Sequence, residues 1–492
     1  MTSPTVIGVL VGYLLVLLGI GFWASRESGD LKGYFVAGKQ LPAWVIAFSS
    51  NATGESAWLL LGLTGMGYAI GVHAFWVILG EVLGVAVAWV FVARPFKEYT
   101  DRFDSITVPD YLTDRFRDSS HVFRWLSAGI VLSMVMAYTA AQLTASGKAF
   151  DSFLGTGYTQ GVWIGLGIVL FYTTIGGFKA VAYSDFVQGV LMLGCLITLP
   201  IVGVIAAGGL SEMFSALGAA DPALLRPMGK FGLGPAGIAS AIGFVAIGLA
   251  FLGAPQLLTR FMAARDQKQI VDGGKWAVLC IIGFDIGAVF GGMAGRTLFP
   301  GLLDPETILP EMSTVLFPAF FTGIFLVVVL AAIMSTVDSL LILASSVVVR
   351  DVVQKALGSQ WSERRLSTLG KAVTVVIGVA GLAVALGEAR MIFYFVLFAW
   401  SGIACAFTPV VLCSLFWKRT TKAGAVAGMI GGFVVTVVWV IWFKEHFYDL
   451  YEMIPGFVTG FACTIGVSLM TEPDAEAVAE FESVHQAVGP VF

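Results

Sequence analysis

Apolar residues in this chain come in runs of about 20, repeated along its whole length and separated by short polar intervals. As a helix, such a run matches the hydrocarbon thickness of a bilayer. Inside hydrocarbon every backbone N–H and C=O needs a partner within its own segment, so the chain is expected to fold as packed α-helices. The runs lie near 4–25, 43–71, 74–98, 122–154, 159–176, 180–208, 235–264, 275–299, 314–354, 366–387, 391–417, 423–443 and 453–470. The run at 314–354 exceeds one crossing and is expected to continue past the membrane as a helix. The first, 4–25, lacks a basic leader and a small-residue cleavage site, so it reads as a span and not a signal peptide. Of the 492 residues 58% are hydrophobic and 12% charged, against roughly 25% charged in soluble domains. The expected fold class is an all-α polytopic membrane protein with thirteen transmembrane helices.

Basic residues suggest the orientation. With the N-terminus outside, 22 of the 28 Lys and Arg, Arg260 among them, fall on the cytoplasmic side. Lys148, Arg226, Lys230, Arg296, Arg390 and Lys444 stay outside. This positive-inside split predicts a multi-pass protein of the cell inner membrane, with its C-terminus in the cytoplasm. The basic residues are spread over short loops, which gives no footprint for nucleic acid. The five cysteines lie in apolar stretches without a C-x-x-C pair and read as buried free thiols. The four histidines form no metal-spacing motif, which argues against a membrane enzyme. The acidic tail from 471 is expected to be short and flexible. No obligatory protein partner is evident; the partners expected are a small solute, a cation and the lipid bilayer.

Two spans are interrupted. The second carries the polar patch Asn51-Ala52-Thr53-Gly54-Glu55-Ser56, and the seventh carries Gly248 to Pro255. Broken backbone at membrane depth is tolerated where it lines a cavity or is buried in protein. Half-helix ends and unwound carbonyls there are how secondary transporters hold ions and substrates. The alternative for Pro255 is a simple kink. The breaks stand five spans apart, which suggests two inverted repeats of five helices, each led by a broken helix.

The ninth span places Ala332, Ser335, Thr336 and Ser339 at i, i+3, i+4 and i+7, on one helix face. Hydroxyls there, joined by carbonyls of an unwound helix, offer the hard oxygen ligands an alkali cation prefers; such hydroxyls also serve as interhelical glue. Asp338 favours the site, because an intramembrane carboxylate needs a partner or a cation. Asp185 lies about one turn into the sixth span, within reach of that face. Glu81 and Asp285 are also acidic at membrane depth, without a reason to place them at the site.

The segments SSNATGESAWLLLGLTG (49–65), TTIGGFKAVAYSD (173–185), PQLLTRFMA (255–263), AAIMSTVDSLL (331–341), FAWSGIACAFTPVVL (398–412) and LFWKRTTKAGAVAGMIGG (415–432) resemble the sodium/solute symporter family, most closely its sodium/proline symporter branch. The resemblance implies a ten-helix core with one helix before it and two after: 1–42, the first helix and a linker; 43–210 and 211–417, the two repeats; 418–470, two further helices; 471–492, the tail. It implies Na+ as the coupling ion, held by carbonyls of Ala52, Glu55 and Ala332 and hydroxyls of Ser335 and Thr336. In some relatives a second sodium sits near the positions of Asp185, Asp338 and Ser339. Trp58 and Tyr138 match substrate-side positions; their other reading is ordinary core packing. Glu55 and Pro255 are counted with the solute site, as are Ile247 and Phe251, which stand where proline transporters carry Trp and Tyr. The branch's aspartate is replaced by Gly54, with the carboxylate shifted one residue to Glu55. The expected function is sodium-coupled uptake of a small organic solute, proline or a related amino acid. Proton-coupled symport of another small carboxylate and a transporter-derived sensor are the alternatives.

Overall fold

The computed structural model describes residues 4–25, 30–387 and 392–489. Among them every extended element is a helix, and the one β feature is an isolated parallel bridge between Leu41 and Ala264. Eleven of the described helical stretches are long and apolar enough to cross a membrane. One of these, Ala43–Arg102, has 60 residues. A straight helix of that length would measure about 90 Å, three hydrocarbon thicknesses. It is instead broken at Ser56 and Gly71.

In chain order the helices are α1 (Pro4–Ser25), α2 (Ala43–Ala57), α3 (Thr64–Ile70), α4 (Phe75–Val87), α5 (Ala93–Arg102) and α6 (Val122–Leu154). Next come α7 (Tyr158–Ala206), α8 (Pro235–Ala246), α9 (Pro255–Ala263), α10 (Gln267–Leu298) and α11 (Ala319–Ser346). The last are α12 (Glu363–Ala385), α13 (Ile392–Phe416), α14 (Lys422–Val438), α15 (Met453–Met470) and α16 (Ala475–Val488). α7 bends at Gly177, whose φ is +63°. That bend separates the two runs expected at 159–176 and 180–208.

α11 is the central post. Every residue from Phe325 to Ser346 is buried, and the helix packs on α1, α2, α6, α7 and α12. It runs on through wide turns to Ala356, as its sequence length implies. α4 is drawn against the second broken helix by glycines. A Cβ at Gly80 or Gly84 would land on the carbonyls of Val245 or Gly248. That close approach carries Glu81, which lies between the two glycines, into the interior with no exposed surface.

The tail departs from expectation. Residues 475–488 form α16, which buries Ala477, Phe481 and Val484. Arg117 pairs with Asp474, Glu476 and Glu480, and the Arg115 guanidinium lies over the Phe481 ring. The acidic residues that suggested flexibility are the partners that dock the helix. Arg260, counted among cytoplasmic charges, is on α9 and is 1% exposed.

Candidate cation and solute site

The first break is built by side chains. Ser56 has φ +45° and ψ −165°, a backbone conformation that disfavours a residue with a Cβ. Its Oγ accepts from the Trp58 N–H at 3.3 Å and from Gln142 Nε2 at 3.1 Å. Gln142 Oε1 accepts from the Ala57 N–H at 3.3 Å. Backbone groups freed by the break are thus satisfied by α6 and by the break's own hydroxyl, as a buried interruption requires. In the second break, a tight turn at Ile247–Leu252 ends at Gly253, and Pro255 opens α9. There its missing donor is harmless, so Pro255 starts a helix and does not kink one. Both breaks face each other: a Cβ built on Gly54 would come within 2.8 Å of the Phe251 ring.

The hydroxyl face of α11 meets the first break. Ser335 Oγ lies 2.9 Å from the Ala52 carbonyl and 3.1 Å from that of Ala332. Thr336 Oγ1 donates to the Thr53 carbonyl at 3.1 Å. Four of the five expected sodium-ligand residues therefore converge. The fifth, the Glu55 carbonyl, accepts the Trp58 N–H.

One turn further along α11, at Ser339, lies a charged cluster built around a guanidinium that the sequence did not lead us to expect. Arg260 Nη2 donates to Thr53 Oγ1 at 2.7 Å, to Asp185 Oδ2 at 3.1 Å and to Ser339 Oγ. Its Nε donates to Ser49 Oγ at 3.1 Å, and Ser49 donates to Asp185 Oδ2 at 2.6 Å. The guanidinium also lies 4.9 Å from the centre of the Phe178 ring. Asp185 and Ser339 are thus joined by a guanidinium. Asp338 is not part of this group; it accepts from the Thr173 hydroxyl of α7.

Aromatic rings form the wall on the other side. Trp58 Nε1 donates to the Gly54 carbonyl at 3.1 Å, and its ring stands edge-on to Phe393, which in turn meets Phe244. Tyr138 and Phe251 both stand edge-on to Trp400, whose Nε1 donates to the Ile247 carbonyl at 3.2 Å. Beyond Phe244 opens a cavity of about 610 Å³, lined also by Met66, Ile70, His73, Tyr394 and Tyr451. The Glu55 carboxylate forms no hydrogen bond to the hydroxyl face. It meets Glu81 of α4 and Asp285 of α10, all three fully buried.

The family model described as "Sodium:solute symporter family" matches residues 34–432. The chain belongs to that family. It is similar to the high-affinity proline transporter PutP of Bacillus subtilis (strain 168), at 35% identity over 94% of this chain and 98% of that protein. It is also similar to the sodium/proline symporter of Salmonella typhimurium, at 33% identity over 95% of this chain and 93% of the other. Among solved structures, a Na+-coupled sialic acid symporter in a substrate-bound outward-open state superposes with a TM-score of 0.80 at 20% identity, covering 96% and 99% of the two chains. A nucleobase-cation-symport-1 family transporter in a closed conformation gives 0.59 at 13% identity. These two likenesses establish a shared transporter fold.

Within this family member, sequence reasoning found the break and the α11 face because each is local. It missed Arg260, Trp400 and Phe393, and it left Glu81 and Asp285 without a role. The overlooked signal for Arg260 was its place inside the apolar run 235–264, where a cation needs a partner.

Proposed function

We propose that this symporter-family protein drives uptake of a small amphipathic solute, with proline or a related amino acid as the first candidate, by inward flow of sodium. The observation that carries this reading is the meeting of Ser335 and Thr336 with the carbonyls of Ala52, Thr53 and Ala332 beside a broken helix. Sodium there would replace hydroxyl–carbonyl hydrogen bonds by oxygen ligation and tie α2 to α11. Ser335 and Thr336 would turn their lone pairs to the ion. The names of the relatives support proline, while Ile247 and Phe251 lack the polar edges found in proline transporters and support a modified solute pocket. Solute would lie between Trp58, Tyr138, Phe251 and Trp400, with Phe244 and Phe393 as the door from the cavity.

The two ends of the molecule support an outward-facing state. The 610 Å³ cavity opens on one side. On the other, Arg124 bridges Asp110 at 2.7 Å and Asp351 at 2.5 Å, while Lys97 and Lys39 hold Asp101 at 2.8 and 3.2 Å. Thirteen crossings, the 43–210 and 211–417 repeats, an external N-terminus and an inner-membrane location complete the proposal. The protein would act by transport and not by catalysis.

Proteoliposomes loaded without sodium test the reading. An imposed inward sodium gradient is expected to accumulate labelled proline or a competing amino acid. Accumulation under a proton gradient in sodium-free buffer makes the protein a proton symporter. Solute binding without accumulation or counterflow makes it a sensor.

A further inference from the structure

Glu55, Glu81 and Asp285 come from three helices, α2, α4 and α10, and lie together beside the first break. Each offers an oxygen within 4.8 Å of the other two. All three residues have no exposed surface, and none of their six carboxylate oxygens has a hydrogen-bond partner. The fully buried Tyr138 phenol lies beside Ser56 and within electrostatic reach of Glu55 and Glu81. Buried acids normally meet arginine, lysine or several N–H donors, because leaving a charge unpaired away from water is costly. Here the surrounding helices supply no such donor. The arrangement is made by close packing, since Gly80 and Gly84 bring α4 onto the second break.

We propose that Glu55, Glu81 and Asp285 form a second cation site, separate from the hydroxyl-and-carbonyl site of α11, that takes a hard cation of about the size of sodium or calcium. Three atoms no more than 4.8 Å apart always leave a point that is within about 2.8 Å of all of them, near the 2.3–2.6 Å of calcium–oxygen bonds. Small inward rotations of the acids bring their oxygens to that range. Carboxylate oxygens suit a hard cation, and the absence of His, Cys or Met in the cluster disfavours a soft one. The ion would clamp the α2 break to α4 and α10, helices that the first site does not touch. Loading both sites would therefore fix the broken helix from two sides. The proposal rests on the reading of the chain as a cation-coupled symporter, and it adds an ion to that reading.

Equilibrium binding of radioactive sodium and calcium to purified protein in nanodiscs tests it. For the unmutated chain, the result expected is two sodium ions, or one sodium and one calcium. Glu81→Gln with Asp285→Asn is expected to remove one equivalent, and Ser335→Ala with Thr336→Ala the other. A calcium equivalent that is lost only in the acid variant identifies calcium; a second sodium lost only there identifies sodium. A count showing no bound ion beyond the one that Ser335→Ala with Thr336→Ala removes overturns the proposal. Equal counts in the unmutated chain and a monodisperse acid variant overturn it too. So does an infrared signature of protonated carboxyl groups that persists at saturating sodium and calcium. If the acid variant loses its equivalent but the hydroxyl variant loses none, the second site stands and the assignment of the α11 face fails.

Discussion

Asp185 and Glu55 are both fully buried carboxylates lining the same broken helix. Their surroundings differ. Asp185 meets Arg260, Ser49 and Thr53, and the guanidinium is itself held by Ser339 and the Gln256 carbonyl. Glu55 meets two further acids and no donor. The first cluster closes its charge balance with its own side chains, so its geometry is fixed by the fold. The second has no counter-charge of its own, which is what the proposed cation would supply. A permanently paired cluster keeps α2, α7, α9 and α11 in register, and an unpaired one lets occupancy bias the hinge.

The largest expected effect is at the paired cluster. Removing one partner of a buried ion pair costs about 3–5 kcal/mol, because the other charge is stranded. Arg260→Met is therefore expected to lower the thermal unfolding midpoint sharply and to abolish uptake. Adding Asp185→Asn should recover much of the stability, since it removes the stranded charge. Arg260→Lys should rescue poorly, because an ammonium cannot span Asp185, Thr53 and Ser49 as a planar fork does. Unfolding of Arg260→Met at the unmutated midpoint would show that the pair holds nothing in place.

Next in size is the face between the clusters. Ser335→Ala and Thr336→Ala each remove one oxygen of the proposed sodium site, and interactions with charged groups are worth about 1.5–3 kcal/mol. The sodium concentration for half-maximal uptake is expected to rise about tenfold or more in each, with protein abundance little changed. Unchanged sodium dependence in both, with uptake intact, would reduce the face to interhelical glue.

A smaller effect, opposite in sign, is expected at the unpaired cluster. In choline buffer free of sodium and calcium, Asp285→Asn should raise stability by about 1 kcal/mol, since it removes one orphaned acid. The same variant should lose the added stability that the unmutated protein gains from its ion. Thermal unfolding with and without each ion reads both effects. If Asp285→Asn and Arg260→Met destabilise alike in ion-free buffer, the contrast between the clusters disappears.

What the sequence revealed follows the same division. The α11 face was legible because Ala332, Ser335, Thr336 and Ser339 obey a helical spacing within eight residues. The break was legible because six polar or small residues stand together in an apolar run. Residues 55, 81 and 285 share no such spacing; only tertiary packing of three helices joins them. Arg260 was misjudged for a related reason, since its partners lie on α2, α7 and α11. In the tail, Ala477, Phe481 and Val484 at i, i+4 and i+7 did mark a buried helix face, and the acidic composition obscured it.

The smallest effect concerns the seam between the ion side and the solute side. The resemblance sets Gly54 at the position of the proline branch's aspartate, and the Phe251 ring lies against it. An added methyl forces the ring tip, not the backbone, to move. Gly54→Ala is therefore expected to cost less than about 1 kcal/mol of stability and to act through Phe251. Phe251 carries the contact to Trp400 and so to Tyr138. The solute concentration for half-maximal uptake should rise several-fold, while sodium activation stays near that of the unmutated protein. Adding Phe251→Leu, which shortens the ring's reach, should bring solute affinity partly back. The double change Gly54→Asp with Glu55→Met, which restores the branch's usual order, needs the same space and is expected to work better with Phe251→Leu than without it. Parallel uptake assays over solute and sodium concentrations separate the two sides. A shift in sodium activation with unchanged solute affinity would mean that position 54 acts through its carbonyl neighbours on the cation, and that the Phe251 wall does not bound the solute.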